Sequence, residues 1–185
     1  MKRFIPTSPD RDLLYQISTF SHSLGHTWTL GSAAAVATLR EAERRARDLR
    51  ADLEWRGVHP DVLRFCRSEL LVDNYFHATL EAVKSIADKL RVSTGLQDDG
   101  ATLVDRALGG ELSLLAINPL STKSERDEQK GFANLLKGVF GMFRNPTAHE
   151  ARINWVMAQT DALDLLTLAS LVHRRIDAAY MHPRI

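Results

Sequence analysis

Apolar residues recur every three or four positions along most of this chain, and few segments alternate as half-buried strands do. That period admits amphipathic helices and little else. In GSAAAVATLREAERRARDLRADLEWRG, Ala35, Leu39, Ala42, Ala46, Leu49 and Leu53 form a heptad seam on a helix of about 26 residues, ~39 Å long. Gly57 closes it and Pro60 opens the next. The pattern predicts one long helix from Pro60 to Arg91, with Phe76, Leu80, Val83, Ala87 and Leu90 as its apolar seam. An earlier helix is expected from Asp10 to about Leu24, behind Ser8 and Pro9.

Residues 92–124 are broken by Gly95, Gly100, Gly109, Gly110 and Pro119 around a short helix near 101–108. Ser124 and Asp127 have the spacing of a capping box. The helix they would start carries Phe132, Leu135, Leu136, Val139, Phe140 and Phe143. Gly131, Gly138 and Gly141 cost that helix roughly 1 kcal/mol each relative to alanine, which points to close approach by another helix, a second copy or a ligand. A last helix is expected from about Trp155 to Tyr180. The fold class is therefore all-α: an N-terminal helical arm over residues 1–57 and a helical bundle over 58–185, with an irregular insertion at about 92–124.

Composition removes several classes of function. No apolar run approaches the ~20 residues that span a bilayer, and no apolar run follows the basic start MKRFIPTSPDRDLL, so neither a membrane span nor a secretory signal is expected. The single cysteine, Cys66, excludes an internal disulfide framework and a cysteine zinc site, and fits a reducing cytoplasm. A net charge of +1 gives no general basic field for nucleic acid. An RNA partner would have to be held by a local site.

Three polar patterns have bland explanations. Arg44, Arg45, Arg47 and Arg50 could make an RNA-binding stripe, but Glu41, Glu43, Asp48 and Glu54 interleave with them, as on a solvated face laced with ion pairs. Glu69, Asp73, His77 and Glu81 recur every fourth residue of the expected Pro60–Arg91 helix, so they form one polar stripe that could hold a metal; that spacing is also common on exposed faces. His22 and His26 are four apart, but HSLGH lacks the glutamate of the zinc-protease motif and no third ligand is evident. No cofactor is expected.

The stretch GMFRNPTAHE, residues 141–150, is different. On an unbroken helix Arg144 and His149 would lie ~140° apart and could not serve one site. Pro146 disfavours helical geometry at Asn145, and a turn there lets arginine and histidine converge. The same residues also fit a plain helix end, with Arg144 neutralising the helix dipole and His149 packing or capping.

An arginine followed by a polar residue and, after a short spacer, a histidine, set between the last long helices of a bundle, is the signature of HEPN domains, and Arg144, Asn145 and His149 match it. More closely, YFHATLEAVKSIADKLR at 75–91, DGATLVDRAL at 99–108, DEQKGFANLLKGVFGMFRNPTAHE at 127–150 and DALDLLTLASLVHRRID at 161–177 resemble the bacterial Ymh-type family. The resemblance covers about residues 60–180. It implies a HEPN-like helical bundle, and many HEPN proteins are metal-independent endoribonucleases that work as dimers, while others keep the bundle without activity.

The chemistry fits these residue types. Cleavage by the substrate's own 2′-hydroxyl needs a base for that proton, an acid for the leaving 5′-oxygen and a fixed cation for the phosphoryl charge. Histidine suits the proton transfers and arginine the charge. His149 is expected as general base or acid, Arg144 as transition-state stabiliser and Asn145 as an orienting group. The partners expected are RNA, a second copy completing a composite site, and an antitoxin or defence-system protein. A non-catalytic helical module that binds a protein or RNA is the alternative.

Overall fold

The computed structural model describes residues 33–110, 113–143 and 156–181, and helices make up nearly all of its regular structure. They are α1 (Ala33–Trp55), α2 (Pro60–Leu63), α3 (Phe76–Thr94), α4 (Gly100–Leu108), α5 (Lys123–Phe143) and α6 (Gln159–Asp177). A 3-10 turn at Ser68–Leu70 and two short strands, β1 (Leu115–Ala116) and β2 (Tyr180–Met181), complete the set. The chain divides into two units, Met1–Thr38 and Leu39–Ile185. The helix expected from Asp10 lies outside the described residues.

The seam of α1 is used from Ala42 onward: Ala42, Leu49 and Leu53 are fully buried, whereas Leu39 is exposed. Three of its arginines form an ion-paired face. Arg44 bridges Glu41 and Asp48, Arg45 pairs with Glu41, and Arg50 pairs with Glu54. Such exposed pairs contribute only a few tenths of a kcal/mol each. The helix ends in a Schellman motif. Gly57 takes φ +64°, Val58 N–H donates to Leu53 O and Gly57 N–H to Glu54 O.

The single helix expected over Pro60–Arg91 is not formed. It is interrupted between Leu63 and Phe76, where the chain runs through the 3-10 turn and a series of bends. The cause is tertiary. Arg50 donates to Leu63 O at 3.2 Å, and Arg45 donates to Leu71 O at 3.1 Å and Val72 O at 2.8 Å. In an unbroken helix those carbonyls would accept from amides four residues on; Leu63 O keeps only a tighter turn bond from the Cys66 N–H, at 3.1 Å. Asn74 Oδ1 accepts the Phe76 N–H at 2.7 Å and starts α3 afresh. From there the expected seam holds: Phe76, Val83, Ala87 and Leu90 are buried.

Helix α5 begins earlier than expected. The reciprocal bonds of its capping box join Thr122 and Glu125, not Ser124 and Asp127: Glu125 N–H donates to Thr122 Oγ1 at 3.2 Å, and Thr122 N–H to Glu125 Oε2 at 3.0 Å. The longer glutamate reaches back to Ser121 N–H as well, at 2.7 Å. Two overlapping four-residue matches lay two positions apart, and the better acceptor prevailed.

The core joins α1, α3, α4, α5 and α6, with Leu49, Leu53, Leu90, Leu103, Leu136, Phe140 and Leu166 all at 1% exposure or less. The irregular 92–124 stretch is anchored by one buried amide. Gln129 Nε2 donates to Leu108 O (2.9 Å) and Leu115 O (2.8 Å), and its Oε1 accepts the Ile117 N–H at 3.0 Å. β1 then pairs antiparallel with β2, Leu115 opposite Met181 and Ala116 opposite Tyr180. The glycines of α5 point outward: an added Cβ at Gly131, Gly138 or Gly141 would meet nothing within 4 Å among the described residues.

Replacing Gln129 with leucine leaves two carbonyls and one amide without their partner. We expect Gln129→Leu to destabilise the chain by roughly 2–4 kcal/mol in urea unfolding, and Asn134→Ala, on the exposed face of the same helix, by less than about 0.5 kcal/mol.

Candidate functional site

Arg144, Asn145 and His149, on which the expected chemistry rests, lie outside the described residues, as do His22 and His26. The described chain reaches Phe143 at the end of α5 and resumes at Val156, ahead of α6. Beside these two ends is a cleft of about 540 Å³ lined by Met142, Phe143, Met157, Leu165 and two carboxylates, Asp161 and Asp164. A second groove, of about 670 Å³, runs between α4 and α5. Arg126, Lys130 and Lys137 face it from α5, and Asp105 faces it from α4.

The metal stripe considered for Glu69, Asp73, His77 and Glu81 does not exist as one helix face. The break before α3 separates Glu69, on the 3-10 turn, and Asp73, in a bend, from His77 and Glu81 on the helix.

The same break builds a site that sequence spacing did not reveal. His59 and Asp61 at the start of α2, Ser85 and Lys89 on α3, and His173 and Asp177 on α6 converge. His59 N–H donates to Ser170 Oγ at 2.9 Å, fixing the loop against α6. The His59 ring accepts the Asp61 N–H at Nδ1 (3.1 Å) and so carries its proton on Nε2, 2.7 Å from Asp177 Oδ2. The rings of His59 and His173 stack, with centroids 5.3 Å apart and planes 15° from parallel.

His173 is 1% exposed. Its tautomer follows from its neighbour. Ser85 has one proton, and the Ala82 carbonyl 2.7 Å from its oxygen can only accept. His173 Nε2 therefore donates to Ser85 Oγ, at 3.0 Å. Its Nδ1 is left as a buried lone pair with no hydrogen-bond partner among the described residues, 3.6 Å from Asp61 Oδ2. Serine, histidine and aspartate stand in the order of a nucleophilic triad, but the proton direction is reversed, so Ser85 is not an activated nucleophile.

Charge in the cluster is set by Lys89, whose ammonium lies 2.8 Å from Asp61 Oδ2 and also bonds Asp177 Oδ1. Those hydrogen bonds hold both carboxyls below the usual carboxylate range. Burial pulls Lys89 down, and its bonds to Asp177 and Asp61 outweigh that and raise it. Burial, reinforced by the Lys89 charge, pushes His173 down to about 4. The site thus presents an ionised carboxylate and a neutral imidazole lone pair side by side. The one cue in sequence was the pair of i,i+4 sets, Ser85/Lys89 and His173/Asp177, each on one helix face.

Fold and site together define a class: an all-helical chain with a histidine–carboxylate–lysine cluster where a short broken helix meets two long ones. The chain belongs to the family described as "Protein of unknown function (Hypoth_ymh)", which matches residues 56–176. No curated protein and no solved structure matches it.

The depressed His173 makes the fold acid-sensitive. The folded state refuses a proton that the unfolded chain accepts below about 6.5, so stability is intact above that pH and declines as pH falls toward 4. We expect a loss of about 3 kcal/mol across that window in metal-free buffer. Thermal melts of His173→Gln, which keeps a donor for Ser85, should lack this limb.

Proposed function

We propose that this protein is a HEPN-like, metal-independent endoribonuclease of toxin or phage-defence type. The observation that carries the reading is the sequence RNPTAH, lying between the long helices α5 and α6 of an all-helical member of the Ymh family. His149 takes the 2′-hydroxyl proton or protonates the leaving 5′-oxygen. Arg144 binds the phosphoryl oxygens in two-point fashion as their charge builds. Asn145 orients the histidine or the phosphate. Attack of the 2′-oxygen on phosphorus breaks the bond to the 5′-oxygen, leaving a 2′,3′-cyclic phosphate and a 5′-hydroxyl.

Two features of the described residues support it. Arg126, Lys130 and Lys137 against a single Asp105 make the α4–α5 groove locally basic in a nearly neutral chain. The outer face of α5 carries Gly131, Leu135, Gly138 and Met142 at heptad spacing, with Leu135 and Met142 exposed. Such a face suits a second copy, and a two-fold pairing would bring two RNPTAH segments to one composite site.

The test is incubation of the purified chain with end-labelled RNA in excess EDTA, beside Arg144→Ala and His149→Ala. Wild-type cleavage with cyclic-phosphate ends, reduced at least about 100-fold in both variants, is the expected result. Three folded, dimeric proteins that all leave RNA intact would favour the non-catalytic binding module. In sedimentation, Leu135→Glu should shift the chain toward monomer and lose cleavage with it.

A further inference from the structure

We propose that His59, Asp61 and His173 form a binding site for one divalent transition metal of the zinc class. The donor atoms of the three residues all lie within 4.8 Å of one another. A tetrahedral ion with bonds of about 2.0–2.1 Å needs its ligand atoms ~3.3 Å apart. Asp61 Oδ2 stands 3.6 Å from His173 Nδ1 and 3.8 Å from His59 Nδ1, so two edges of that tetrahedron need to close by only about half an ångström.

The independent observation is the bare lone pair. A buried acceptor without a donor costs roughly 1–3 kcal/mol, and His173 Nδ1 is aimed at a carboxylate, which cannot donate to it. A metal ion satisfies both lone pairs at once. Two imidazoles and one carboxylate select zinc, cobalt or nickel over magnesium or calcium, which favour all-oxygen shells. The outer contacts needed to orient such ligands are built in: Ser85 receives Nε2–H of His173, and Asp177 receives Nε2–H of His59.

Three features must adjust: His59 Nδ1 gives up the Asp61 N–H it accepts at 3.1 Å, one ring turns, and Lys89 releases Asp61. Stacked rings cannot both point in-plane at one ion, so one must turn. His59, on the loop before α2 with its side chain 17% exposed, can do so by giving up its stack on His173; His173, inside α6 and 1% exposed, is held in place. Lys89 must also leave Asp61. Its side chain is 16% exposed, and a long stem lets its ammonium swing toward solvent while keeping Asp177. When the metal is chelated, Lys89 again pairs both carboxylates and the fold persists, so this site is separable from RNA cleavage in EDTA.

The experiment is titration of the full-length, chelator-stripped protein with Co²⁺, read by visible absorption, with Zn²⁺ as competitor. One Co²⁺ per chain is expected, giving a tetrahedral-type spectrum that Zn²⁺ abolishes. Asp61→Asn and His173→Gln should lose it. Lys89→Met, which removes the competing cation, should tighten binding at least about tenfold. A purely structural cluster predicts the opposite, because Lys89→Met would then only destabilise the fold. No stoichiometric binding, binding unchanged in Asp61→Asn, or binding lost instead in a His22→Ala/His26→Ala variant would each overturn the proposal. If His173→Gln fails to fold, Asp61→Asn and Lys89→Met decide it.

Discussion

Two arginines of α1 determine how the rest of the molecule is arranged. On a straight helix Asp61 and Lys89, twenty-eight positions apart, would sit ~42 Å from each other; they are 2.8 Å apart. What makes this possible is the interruption between α2 and α3, where the guanidinium groups of Arg45 and Arg50 take the carbonyls of Leu63, Leu71 and Val72. A guanidinium offers five donors in a rigid fork and can satisfy carbonyls that a broken helix leaves open. The chain thereby turns back, Leu71 enters the core at 0% exposure, and His59 and Asp61 meet α6.

This arrangement assigns the charges of the protein to separate tasks. Arg44, Arg45 and Arg50 of α1 are spent on acids of their own helix and on backbone carbonyls, which leaves them poorly placed to follow a nucleic-acid backbone. The cations of the α4–α5 groove are less committed. Lys137 pairs with Asp105 and Arg126 with the Leu120 and Ser121 carbonyls, while Lys130 has no partner among the described residues. Lys89, by contrast, is tied to two carboxylates and sets the charge of the histidine cluster. Helix α5 has two faces of different use: Phe132, Leu136, Val139 and Phe140 fill the core, and at the glycines of the other face an added Cβ would meet nothing within 4 Å among the described residues.

Much of this could be read from residue order. The all-α class, the Gly57–Pro60 punctuation, the short helix at 101–108 and most of the buried seams of α3 and α5 follow from periodicity and from local rules for glycine and proline; Leu135, expected in the buried face of α5, is exposed. The ion-paired character of α1 followed from the interleaving of its acids. The capping box joins Thr122 and Glu125, two residues before the matching pattern at Ser124 and Asp127, because two overlapping patterns compete there and only side-chain reach decides between them. Arg144, Asn145 and His149 were singled out by chemistry and by resemblance to a family, and they lie beyond the described residues.

Sequence alone therefore determined the helices, their buried faces and the family, because each depends on neighbours a few positions away. Tertiary structure decided where the 60–91 segment breaks and which residues meet as a result. The break depends on donors from α1, on a different element, and a helical period carries no record of them. The His59–Asp61–Lys89–His173–Asp177 cluster joins residues up to 118 positions apart. Such a site exists only once the core has packed the elements together, and its buried lone pair arises from the same packing.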